Sequence, residues 1–221
     1  MLHQGFTTQH RLIGRFAAWA VCFLEIVYGI ALVLGLFSLK SSQDPIGDPL
    51  FSILELLIIL IAPLMVISMV AVHAYAVPDV KVYSLTALVL MILLTGITSS
   101  VHFTILTVSH QIQDAGFTGM PLFFSFKWPS VAYALDILAW DWFFALSMLF
   151  AAPVFRRGGL ERTVRILMIV SGVLSLAGSI GVPLENMQVR LIGVLGYVGV
   201  TPVVFLLLGM VFDRVYHQDS L

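Results

Sequence analysis

The sequence predicts an all-α bundle of six membrane-spanning helices, on three observations. Of its 221 residues, 60% are hydrophobic and only 10% charged, where a soluble domain carries about 25% charged residues. Apolar runs of about 20 residues, the length a helix needs to cross a bilayer, recur along the whole chain and raise the mean hydropathy to +1.04. The 11 Lys and Arg residues are shared unevenly among the connections between those runs. Too few charges remain to cover a water-facing surface, so bilayer is the expected solvent.

The first run covers 16–39 and ends before SSQDPIGDP, whose Asp, Pro and Gly residues favour a turn-rich loop. The residues ahead of it are polar. It is too long for a signal-peptide core and no small-residue cleavage site follows, so a retained helix is expected. The second run covers 50–75, with Pro63 as a kink. VPDVK connects it to the third, 83–109. The next connection, 111–129, contains GFTGMPLFFSFKWP. It is apolar for a loop and suggests an interfacial or re-entrant segment. The remaining runs cover 130–155, 165–182 and 189–212, so residues 1–221 form one transmembrane helical domain.

Orientation follows from the positive charges of the short loops. With the N-terminus inside, the cytoplasmic side holds Arg11, Arg15, Lys81, Arg156, Arg157, Arg162, Arg165 and Arg214, and the outer side Lys40, Lys127 and Arg190. Eight against three predicts both termini inside. RRGGLERTVR, between the fourth and fifth runs, supplies most of the bias and could also touch anionic lipid.

The last two runs read as scaffold. Ser171, Ser175 and Ser179 repeat every four residues beside Gly172 and Gly178, and Gly193, Gly196 and Gly199 precede Pro202. Small residues at such spacings let helix backbones approach closely in lipid.

The first four runs carry the buried charge. In TGITSSVHFTILTVSH, the residues Thr95, Thr98, Ser99, His102 and Ser109 share one face at helical spacing. Glu25, Glu55, Asp136 and Asp141 stand alone in neighbouring apolar runs. An intramembrane ionisable group is a functional candidate by default, because burying one costs from about 2.5 to more than 10 kcal/mol depending on method. Glu25 falls near mid-bilayer, and Glu55, His102, Asp136 and Asp141 in the outer half, so a polar pocket there would open outward. His110 and Glu185 fall at the outer boundary. His73 shares a helix face with Glu55 but lies about 27 Å from it along the axis, an inner-interface residue. Tyr133, Asp136, Trp140, Phe143 and Ser147 form one stripe. Asp141 would stand roughly 140° from Asp136 on an α-helix, so one aspartate is expected in the pocket and the other on a neighbouring helix, with Asp136 favoured for the pocket. The alternative for Tyr133 and Trp140 is interfacial anchoring. For Glu25 it is a protonated interhelical clamp, and for His102 a hydrogen-bonded structural histidine.

The expected ligand-binding set is therefore His102, Glu55, Asp136, Glu25, Asp141, Ser99, Tyr133 and Trp140. Binding or transport of a small solute, a cation or amine, or a lipid-like molecule is the leading reading. An intramembrane metal-dependent lipid hydrolase is the alternative, with His102, Asp136 and Glu55 as ligands, although HExxH and a cluster of three buried histidines are both missing. A helper or sensor subunit, paired with a partner or a second copy through its acids, is a third reading. Haem is disfavoured because His73 and His102 lie at opposite depths. Retinal is excluded because Lys40, Lys81 and Lys127 are all in loops. Net charge −1 points to no nucleic acid, and the single Cys22 can form no intrachain disulfide.

LDILAWDWFFALSMLFAAPVF followed by RRGGLERTVRILMIVSGVLSL, with VHFTI upstream, resembles small bacterial six-helix integral membrane proteins without an established activity. The shared features are an acid in an aromatic-rich fourth helix, AAPVF, a basic turn and LER. The resemblance implies a helical membrane fold and a bacterial inner-membrane home, and no mechanism.

Overall fold

The computed structural model describes residues 6–40, 46–109 and 122–218. Six helices are long and apolar enough to cross a membrane: α1 Thr8–Phe37, α2 Leu50–Tyr75, α3 Pro78–Val108, α4 Val131–Val154, α5 Leu160–Gly181 and α6 Leu191–Arg214. Local chemistry sets their ends. The α1 helix begins two turns before the apolar run because Thr7 and His10 close a capping box, Thr7 Oγ1 accepting from the His10 amide and His10 Nδ1 from the Thr7 amide. At the head of α4, Ser130 Oγ accepts from the Tyr133 amide at 3.1 Å. Before α5, Gly159 takes φ +66°, a conformation that costs glycine little. Glu161 then accepts from the amides of Arg156 and Arg157 and from the Tyr75 hydroxyl. That knot starts α5 five residues earlier than hydropathy suggests. Tyr75 is buried and its hydroxyl meets a carboxylate at 2.7 Å. Tyr75→Phe should therefore cost about 1.5–3 kcal/mol, read from denaturant unfolding in micelles.

Consecutive helices pack side by side, and α6 closes the ring against α1. The interior is rich in methionine and phenylalanine: Met65, Met69, Met91, Phe144, Met148 and Phe205 are fully enclosed. The buried residues of α3, namely Ser84, Ala87, Met91, Leu94, Thr98 and Val101, step by three and four residues, as one face of a helix requires. That stripe runs directly into His102. Phe16, Phe23 and Phe37 project outward from α1, an arrangement suited to lipid. Pro63 is accommodated inside α2, and beside it Thr95 Oγ1 of α3 donates to the Ala62 carbonyl at 3.0 Å.

The serines and glycines of α5 and α6 do meet. Ser171 Oγ donates to the Gly196 carbonyl at 2.9 Å. A side chain on Gly178 would fall 2.7 Å from the backbone of Gly193. Ser179 instead bonds within its own helix, to the Leu176 carbonyl, and Gly199 has open space beside it. Residues 122–129, the described part of the apolar connection before α4, form turns.

Candidate functional site

Four helices bring charge to one place. Glu55 lies on the buried face of α2 with Leu54, Ile58 and Ala62, and its Oε2 is 2.7 Å from His102 Nδ1. The other ring nitrogen, Nε2, is 3.5 Å from Asp136 Oδ1. Asp136 Oδ2 accepts from Arg190 at 2.7 Å, and Arg190 Nε lies 3.4 Å from Asp141 Oδ2. The result is a continuous chain, Glu55–His102–Asp136–Arg190–Asp141, whose members are all 8% exposed or less.

Two features of the chain were hidden from sequence reasoning. The first is the geometry of α4. Residues Leu138–Phe144 are π-helical, and a π-turn bonds each residue to the fifth along rather than the fourth. Asp136 and Asp141, five apart, therefore reach the same guanidinium instead of opposite sides of the helix. The expected division of the two aspartates between pocket and neighbour is replaced by a shared partner. The second is Arg190, read from sequence as an outer-loop charge and in fact 6% exposed inside the bundle. The assignment of α5 and α6 to scaffold alone is corrected accordingly. The signal available was charge balance: four buried acids with one histidine require a cation, and Arg190 stands against the apolar run of α6.

Aromatic rings enclose the chain. The Arg190 guanidinium carbon lies 4.4 Å from the Tyr133 ring centroid, a cation–π distance. Phe126, from the turns before α4, lies 5.1 Å from the His102 ring. Trp140 packs against Tyr197 at 5.3 Å and donates to Thr98 Oγ1 at 3.1 Å. At 3% exposure, Trp140 belongs to the interior and is no interfacial anchor. Replacing it by Phe should cost about 1 kcal/mol, one neutral hydrogen bond, measurable by the same unfolding assay. The Tyr28 hydroxyl of α1 is within electrostatic range of Asp136, Glu25, Glu55 and Arg190.

Other expected residues stand apart. Glu25 is buried on α1, but among the described residues no hydrogen bond or ion pair joins it to the chain. Ser99 is half-buried and likewise makes no bond to the chain. His73 Nδ1 is 2.9 Å from Ser84 Oγ and its carbonyl accepts from Lys81, which ties the α2–α3 turn. Ser147 donates to the Ala87 carbonyl at 2.7 Å, an α4–α3 clasp. Glu185 is exposed. His110 and the Ser109 side chain lie outside the described residues.

The arrangement has definite chemical consequences. A neutral imidazole carries one N–H, so it would leave a lone pair facing one of its two carboxylates; only imidazolium offers a proton to both. Three carboxyl groups face one guanidinium and one imidazole, so even with both nitrogen groups charged one carboxyl is left either ionised or holding a proton. Among the described residues, four buried polar atoms of the chain also lack a hydrogen-bond partner: His102 Nε2, Arg190 Nε and both oxygens of Asp141. Buried polar atoms are rarely left so. Metal ligation fits poorly, because the two ring nitrogens of His102 point at different acids and Arg190 adds a fixed positive charge. Among the described residues no three His, Cys, Asp or Glu side chains are grouped to hold a metal ion. A separate groove of about 550 Å³ between α1 and α6, lined by Ile26, Gly29, Ile30, Val33, Val194 and Val198, contains none of the charged residues.

Comparison with protein-family models, curated proteins and solved structures finds no match.

Proposed function

We propose that the chain is a multi-pass protein of a bacterial inner membrane, both termini cytoplasmic, that binds and carries a small cation or amine at the charge chain in the outer half of the bilayer. The observation that supports the reading most strongly is the five-residue chain itself, with three carboxyl groups to two cationic partners and, among the described residues, four buried polar atoms without a hydrogen bond. A structural clasp would gain nothing from leaving buried polar atoms unpaired, each at a cost of about 1–3 kcal/mol. A site that exchanges a ligand and a proton needs such capacity.

Glu55 and Asp136 hold the imidazolium, and the cation slot of this reading is the place between Asp136 and Asp141 that the Arg190 guanidinium fills. A cation entering the slot adds positive charge beside the one carboxyl group that otherwise keeps a proton, with His102 as the bridging carrier. Cation and proton compete, so binding should tighten as pH rises and should release protons. The test is uptake of radiolabelled guanidine and methylamine by proteoliposomes under an imposed pH gradient. Wild type should show saturable uptake, reduced at least tenfold by Glu55→Gln or Asp136→Asn. Uptake indifferent to both substitutions, or none by wild type, would overturn the reading.

Orientation has its own test. In a Cys22→Ala background, Gln188→Cys should react with an impermeant maleimide on intact cells. Gly158→Cys, whose side chain would meet nothing within 4 Å, should react only after permeabilisation. The reverse pattern would invert the topology.

A further inference from the structure

We infer that the Arg190 guanidinium is a tethered occupant of a site built for a free organic cation, a guanidinium or a primary ammonium. The inference rests on the cation-binding reading above and names the ligand class for that site.

Three observations carry it. The first is the composition of the slot. Carboxylates stand on two sides of it, Asp136 at 2.7 Å and Asp141 at 3.4 Å. The Tyr133 ring lies 4.4 Å from the guanidinium carbon. Acids together with an aromatic face are what recognise organic cations in general.

The second is misfit. A guanidinium locked in place for stability characteristically meets a carboxylate through two parallel hydrogen bonds. Here Asp141 is 0% exposed and Arg190 Nε stands 3.4 Å from its Oδ2, yet among the described residues no hydrogen bond reaches either oxygen of Asp141 or leaves Arg190 Nε. The tether holds the guanidinium where only Asp136 is properly satisfied. A free cation, able to settle lower and turn, can serve both acids. Gly193 lets α6 pack directly against Asp141: a side chain there would begin 2.9 Å from Asp141 Oδ1.

The third is the means of exit. Arg190 immediately precedes the first turn of α6, at the end of the turns linking α5 to α6. In the orientation proposed above that is the outer boundary. The guanidinium would leave by rotation about its own side-chain bonds toward that boundary.

The experiment uses the full chain in detergent micelles, with ethylguanidinium chloride and ethylammonium chloride as probes and sodium acetate as the anion control at matched ionic strength. Affinity is read by calorimetry and melting temperature by intrinsic fluorescence. Arg190→Ala should bind ethylguanidinium at least tenfold more tightly than wild type, and saturating probe should raise its lowered melting temperature back toward the wild-type value. Adding Asp141→Asn should abolish both effects. Equal affinity in wild type and Arg190→Ala, or a response to acetate instead of the cations, would overturn the inference. Where Arg190→Ala fails to fold, Arg190→Gln retains most of the volume without the charge. If neither folds and neither is recovered by purification in the presence of the probe, Arg190 is a structural pin and the inference fails. Wild-type cation uptake dependent on Glu55 and Asp136 would survive that result, so the two readings fail separately.

Discussion

Asp136→Leu is expected to destabilise the bundle by about 3–5 kcal/mol, the cost of breaking a buried ion pair from one side. Among the described residues, Asp136 is the only carboxylate that touches both cations, His102 on one oxygen and Arg190 on the other. Its loss leaves a guanidinium inside the bundle with Asp141 alone, and an imidazolium with Glu55 alone. Denaturant unfolding in micelles reads the effect. The penalty should shrink when His102→Leu is added, because the second substitution removes a charge that the first left uncompensated. Coupling between neighbours of this kind runs from about 0.5 to 3 kcal/mol. Strict additivity would mean that the two side chains do not interact.

Gly178→Leu is expected to be nearly as damaging, at about 3 kcal/mol, near the upper end for overpacking. A side chain there would begin 2.7 Å from both the Cα and the amide nitrogen of Gly193. Backbone cannot rotate aside, so α5 and α6 must separate. That separation moves Gly193 away from Asp141 and drags Arg190 from Asp136, so cation binding should fall together with stability. Gly199→Leu is the control. Nothing lies within 4 Å of its missing side chain, and removing a glycine from a helix interior favours the helix by up to about 1 kcal/mol. A similar loss at both glycines would show that the α5–α6 contact does not govern the result.

The six long helices were legible because a helix able to cross lipid must be apolar over about 20 residues, and the hydropathy pattern reports that. Helix ends were less so. The start of α1 depends on a capping box between Thr7 and His10, and the start of α5 on Glu161 gathering two amides and a tyrosine hydroxyl, neither of which registers in hydropathy. The site was half legible. Glu55, His102 and Asp136 stood out as isolated polar residues in apolar runs, and the structure joins them. The pairing of Asp141 with Asp136 was obscured by assuming an α-helical turn through Leu138–Phe144, where the helix is π. Arg190 was obscured by its position. A lone basic residue at the edge of an apolar run usually marks the membrane surface, and only the demand for charge balance inside the bundle argues otherwise.

That the charge chain serves binding and not folding can be tested by removing all of it at once. The variant Glu55→Met, His102→Leu, Asp136→Val, Asp141→Val, Arg190→Met replaces the five buried ionisable groups with apolar ones close to them in bulk, an exchange that is often neutral or stabilising in protein interiors. Its melting temperature and its guanidine uptake are measured on one preparation. A bundle that melts no lower than wild type while losing all saturable uptake is the predicted result. A variant that fails to fold would show that these charges hold the helices together, and would contradict their assignment to ligand binding.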